Sequence, residues 1–186
     1  MVPILALWLP ILVAAVIVFL ASSLMHMALP YHKGDYRGLP HEADVMEAMR
    51  KAGVQPGDYM MPHGGSMAAL KDPAFIEKMT KGPVAMMTVM PSGPPKMGGQ
   101  LAQWFIYCVI VGVFAAYIAG RALPPGSHYL AVFRFAGATA FIGYSLALWQ
   151  DSIWYKKKWS TTIKNTIDGL IYGLLTGGTF GWLWPR

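Results

Sequence analysis

The chain has 186 residues, of which 55% are hydrophobic and only 13% charged. That balance, with a mean hydropathy of +0.40, excludes an ordinary soluble domain, in which roughly a quarter of residues are charged. Lys and Arg outnumber Asp and Glu by 15 to 9, yet the basic residues flank apolar runs and form no helical stripe interleaved with aromatics, which argues against nucleic acid as a partner.

The amino-terminal stretch "MVPILALWLPILVAAVIVFLASSLMHMAL" lacks a basic start and is apolar well beyond the roughly 7 to 15 residues of a secretory signal. It reads as a membrane-spanning helix over residues 1–29, with Pro10 expected to kink it by removing a backbone hydrogen bond. A bilayer core takes about 20 apolar residues as helix, and four stretches qualify: residues 3–28, 101–121, 129–149 and 164–184. The expected fold is all-α, a bundle of four transmembrane helices. Residues 30–100 make a small α+β extramembrane insert between the first two helices, and residues 101–186 carry the other three with short loops.

The insert is polar and nearly balanced in charge, and its signals are those of ordered structure. "HEADVMEAMRKAG" predicts a short amphipathic helix, with acids at its start and Arg50 and Lys51 at its end. "DPAFIEKMTKG" repeats the pattern with Asp72 as cap, Pro73 at the first helical position and Gly82 as terminator. "DYMMP" and "PVAMMTVMP" suit short strands. Cys108, the single cysteine, lies within the second apolar helix and permits no intrachain disulfide and no CxxC motif.

Orientation follows from basic residues beside the membrane, which favour the cytoplasm. With four crossings, the insert and the loop containing Lys156, Lys157, Lys158 and Lys164 share one side; both termini and the "RALPPGSH" turn share the other. The expected location is a bacterial inner membrane, with the insert cytoplasmic and both termini outside.

The fourth helix carries Gly169, Gly173, Gly177 and Gly181 at a spacing of four. Glycine costs about 1 kcal/mol against alanine in a helix interior. Lipid tails, however, are as apolar as leucine, so membrane helices associate largely through close van der Waals contact that small residues permit. The second helix offers Gly112, Ala116 and Gly120 as partners, and the third Ala136, Ala140, Gly143 and Ala147. These faces are expected to close mostly within the chain, with contact between chains as the alternative.

Two ionisable residues enter the apolar segments, Arg134 and Asp168. Such residues are functional candidates by default, but both are shallow enough to anchor at an interface, the reading preferred here. Twelve of the thirteen methionines lie between residues 25 and 97, together with His26, His32, His41 and His63. Thioether and imidazole suit copper; methionine is also a pliable filler of gaps and contact surfaces, and packing is preferred because no ligand quartet shows. "PHGGS", around His63, places histidine beside serine without an orienting acid and reads as a turn. No P-loop, dinucleotide fingerprint, HExxH or nucleophile elbow occurs, so neither an enzyme nor a cofactor is expected.

The segments "HMALPYHKGDYRGLP", "EKMTKGPVAMMTVMPSGPPKMG", "YLAVFRFAGATAFIGY", "QDSIWYKKKW" and "DGLIYGLLTGGTFGWLWP" carry a resemblance over nearly the whole chain. The chain resembles a family of small four-helix bacterial inner-membrane proteins of unassigned function. The resemblance implies bacterial origin and four helices, and transfers no activity or catalytic residue. The leading expectation is a non-enzymatic accessory or scaffold subunit that contacts membrane lipids and other inner-membrane subunits or a second copy of itself. The alternative is a small transporter or copper-handling protein using Met and His residues or Asp168 and Arg134.

Overall fold

The computed structural model describes residues 1–186. In chain order the elements are α1 (Trp8–Ser23), α2 (Glu42–Lys51), β1 (Gly57–Met61), α3 (Pro73–Lys81), β2 (Ala85–Val89), α4 (Met97–Ala122), α5 (Tyr129–Ser145), α6 (Trp149–Trp154) and α7 (Trp159–Trp182). They fall into two compact units, Met1–Arg37 with Lys96–Arg186, and Gly38–Pro95.

The first unit is a helical bundle. Three of its stretches are long and apolar enough to cross a membrane: Ile4–Ala28, Met97–Ala122 and Tyr129–Trp154. The last runs from α5 through a 3-10 turn at Leu146–Leu148 into α6. Helix α7 has 24 residues but falls outside this set, because Thr161, Thr162, Lys164, Asn165, Thr166 and Asp168 make its first half polar. Pro10 is buried near the start of α1, where its missing N–H is one of those a helix leaves unpaired in any case; the helix continues through it.

Contact between α5 and α7 is the most extensive in the bundle, and the glycines explain how. A β-carbon on Gly173 would stand 2.9 Å from the Gly137 carbonyl oxygen, and one on Gly177 2.7 Å from that of Phe133. Gly169 faces Ser145, and Gly181 faces the Tyr129 ring. The small residues of α4 serve a different neighbour: Gly112 packs on Ile11 of α1, and Gly120 meets the Val2 carbonyl oxygen. Ala116 and Ala136 are fully buried with Leu7, Ala115, Val132 and Phe180 in one core cluster; Ala140 joins Val18, Cys108 and Tyr144 in another. Gly143 touches the Val111 side chain across the α4–α5 contact, whereas Ala147 lies exposed in the 3-10 turn. The carboxyl terminus closes onto the α4–α5 loop: Trp184 Nε1 donates to Pro124 O at 3.0 Å, and Gly126 N donates to Pro185 O at 2.8 Å.

The second unit pairs β1 and β2 antiparallel, from Gly57 opposite Val89 to Met61 opposite Ala85. Acids in the first turn of α2 and bases in its last follow the helix dipole. In α3, Asp72 caps the Ala74 N–H at 2.9 Å and Gly82 ends the helix at a φ of 63°.

Candidate functional site

The charged cluster of the bundle forms where α1 ends. Residues Leu24–Ala28 make a π turn, closed by Leu29 N–H donating to Leu24 O at 3.3 Å. Such insertions are frequent at functional sites, and this one carries His26. Pro30 then starts a short 3-10 turn, Pro30–His32, and Asp35 N–H donates back to His32 O at 3.1 Å. The folded-back segment presents Tyr31, His32 and Asp35 to α7. Helix α7 answers with Lys164 and Asp168, four residues apart and so on one face.

His32 stands between two carboxylates. Its Nδ1 is 2.7 Å from Asp35 Oδ2 and its Nε2 is 2.9 Å from Asp168 Oδ2. Lys164 Nζ donates to the other Asp35 oxygen and to the Tyr31 carbonyl, each at 2.7 Å, and lies 5.3 Å from the centre of the Tyr31 ring. His26 stacks on His32 with ring centres 4.4 Å apart and planes within 9°. Its Nε2 is 3.9 Å from Asp168 Oδ2. Side-chain exposure falls from 48% at His26 to 14% at His32, 6% at Asp35 and 4% at Asp168.

Two consequences follow from donor counting. A neutral imidazole carries one N–H, and an ionised carboxylate only accepts. Both contacts of His32 are therefore satisfied only with one additional cation, whether a proton on the cluster or a metal ion. Second, Asp168 Oδ1 is buried with no hydrogen-bond partner, as is the Tyr172 hydroxyl one turn further along α7. An unpaired buried polar atom costs about 1–3 kcal/mol, so this pocket carries unused bonding capacity.

The electrostatics outside the apolar spans agree with this geometry. Hydrogen bonding to Lys164 holds the Asp35 carboxyl below its ordinary range against the opposing effect of burial, with the His32 bond adding to the lowering. Burial raises the Tyr31 phenol, and the Asp168 carboxylate raises it further. Behind the cluster sits an aromatic wall: Trp104 lies 6.1 Å from both Tyr144 and Tyr172, and its Nε1 donates to Ser22 Oγ at 2.7 Å.

The structure gathers His26 and Asp168, leaving the other singled-out polar residues elsewhere. Arg134 is exposed on α5, forms no ion pair, and borders a shallow groove over Gly137 and Gly173. His63 is exposed in the other unit. Sequence reasoning grouped His32 only with the other histidines of the methionine-rich region and did not name Asp35 at all. The spacing of three between His32 and Asp35, after Pro30, was a signal for a turn that aims both side chains one way; nothing local identified Asp168, 136 residues from His32, as their target.

Comparison with protein-family models, curated proteins and solved structures gives no match.

Proposed function

We propose that this chain is a multi-pass protein of the bacterial inner membrane, of the kind its resemblance implies, which handles a cation at the Asp168–His32–Asp35 cluster. The observation that carries this is the single imidazole shared by two buried carboxylates, an arrangement one positive charge short with neutral histidine. Ionisable groups beside apolar spans are costly and are retained chiefly at ion or proton pathways. Support for a fourth crossing comes from the carboxyl terminus: Trp184 and Pro185 bond to the α4–α5 loop, while Lys164 and Asp168 bond to residues just beyond α1. Helix α7 thus spans the bundle from end to end, and the Lys-rich loop before it favours a cytoplasmic position for the cluster.

Infrared difference spectroscopy on the purified protein tests this reading. Changing pH, or adding and removing divalent metal, should move carboxyl and imidazole bands that disappear in Asp168→Asn. Identical spectra for the two proteins under both treatments overturn it.

The accessory-subunit reading is second. What favours it is the methionine face of the hairpin, where Met60 and Met86 are paired across the strands and both exposed, a surface able to adapt to a partner. A stoichiometric partner, retained in mild detergent and lost in Met60→Ser/Met86→Ser, would support it; a chain that migrates alone would remove it.

A further inference from the structure

We propose that the cation is a divalent late first-row transition metal, bound by His26 Nε2, His32 Nε2 and Asp168 Oδ2. This rests on the cation-handling reading and names the ion class. One ligand atom from each of the three residues lies within 4.8 Å of the other two, and both Nε2 atoms approach Asp168 Oδ2, at 2.9 and 3.9 Å.

The tautomers follow from the hydrogen bonds. His26 Nδ1 is 3.0 Å from the Ser22 carbonyl oxygen; a carbonyl only accepts, so Nδ1 carries the hydrogen and Nε2 keeps its lone pair. His32 Nδ1, donating to Asp35 Oδ2 at 2.7 Å, likewise leaves its Nε2 lone pair facing Asp168. In that state two imidazole lone pairs and a carboxylate oxygen converge with no hydrogen between them. Such a group of acceptors repels unless a cation sits among them, and Asp168 Oδ1, buried and unpartnered, offers a fourth acceptor on the same carboxylate.

Metal-binding histidines almost always donate their second nitrogen to a carboxylate or carbonyl, which fixes the tautomer and raises ligand basicity. Here one histidine has each kind of partner. Lys164, holding the other oxygen of Asp35 at 2.7 Å, keeps that carboxylate in place.

The spacing suits bonds of the required length. Tetrahedral zinc with bonds near 2.1 Å sets its ligand atoms about 3.4 Å apart, and the two distances to Asp168 Oδ2, 2.9 and 3.9 Å, bracket that value. An ion lies near the plane of each ring it binds, so His26 must tilt out of its parallel stack. It is the ring with room to do so, being half exposed at the edge of a groove lined by Ser22, Met27, Met97 and Trp104. That groove gives the ion its approach and leaves a coordination position open. Two imidazoles with one carboxylate suit Zn²⁺ or Co²⁺ better than Cu⁺, which prefers sulfur.

Zn²⁺ titration by calorimetry, and Co²⁺ titration followed by visible absorption, on the full chain in mild detergent test the site. The expected result is one saturable equivalent, abolished in His26→Ala and in Asp168→Asn, weakened about 10- to 100-fold in Asp35→Asn, and unchanged in His63→Ala. His26→Ala is the decisive variant because its half-exposed ring can be removed without opening the core; circular dichroism confirms folding. No saturable binding, or binding equal in wild type, His26→Ala and Asp168→Asn, overturns the proposal. If metal fails to bind while pH-dependent infrared bands still vanish in Asp168→Asn, the metal site falls and the cation reading stands on protons. If neither signal is seen, both fall.

Discussion

Gly173 of α7 and Gly137 of α5 meet backbone to backbone: a β-carbon on the first would stand 2.9 Å from the carbonyl oxygen of the second, with Phe141 N at 3.1 Å. Backbone atoms have no rotamer by which to yield. Gly173→Ala and Gly177→Ala should therefore destabilise the protein by about 1–3 kcal/mol through overpacking, although alanine favours a helix by about 1 kcal/mol. Gly178 is the control, since its nearest neighbour is the Tyr129 hydroxyl at 3.5 Å, and Gly178→Ala should be neutral or stabilising. Thermal unfolding in mild detergent separates the cases; equal stability of Gly173→Ala and Gly178→Ala would remove the close-packing account.

Removing His32 should cost more than its size implies. His32→Ala leaves Lys164 still holding Asp35 but strips the buried Asp168 carboxylate of its 2.9 Å partner, and a buried polar group left unsatisfied costs about 1–3 kcal/mol, more when it is charged. Adding Asp168→Asn removes the stranded charge, so the double variant should be more stable than His32→Ala alone. Contacting residues are non-additive in this way. Simple additivity in the double-mutant cycle would show that His32 and Asp168 do not act together.

The sequence made the apolar rods legible because spanning a bilayer demands a long run of one chemistry, and the three strongest runs stand as Ile4–Ala28, Met97–Ala122 and Tyr129–Trp154. Glycine spacing in α7 marked a face for close approach, but spacing cannot say which helix fills it. Gly137, which meets both Gly173 and Gly177, sits beside Ala136 and breaks the tidy interval by which its neighbours were chosen. The site was harder still. Asp168 stood out as an ionisable residue in an apolar segment, and His26 and His32 as histidines of the methionine-rich region, whereas Asp35 lies in a Gly- and Pro-containing stretch that looks like ordinary loop. Only the π turn and the 3-10 turn after it bring His32 and Asp35 back to α7, and neither has a reliable signature in sequence.

Acid should loosen this clasp in a defined window. Hydrogen bonding to Lys164 lowers the Asp35 pKa below its ordinary value of 3.8. Between the folded and unfolded values the unfolded chain binds more protons, so stability rises with pH there. The contribution is fully present above the ordinary value and is lost as pH falls through the lower, folded one. The stability difference between wild type and Asp35→Asn should thus stay flat from neutrality down to about pH 4 and shrink below it. A difference that already declines between pH 7 and 5 would show that Asp35 is not held by Lys164.

The fourth crossing is testable by side-specific labelling. Lys157 precedes α7, Arg186 follows it, and Pro125 lies in the α4–α5 loop whose backbone meets Pro185 through Gly126. If α7 crosses the bilayer, Pro125 and Arg186 share one side and Lys157 occupies the other. Cys108 is buried, and a Cys108→Ala background makes any engineered cysteine the sole target. A membrane-impermeant maleimide applied to intact spheroplasts should label Pro125→Cys and Arg186→Cys, and should reach Lys157→Cys only after lysis. Labelling of Lys157→Cys with Arg186→Cys from one side would mean that α7 lies along the membrane rather than through it. The Asp168–His32 contact would then sit in a different solvent, and the cost of its buried charges would have to be reconsidered.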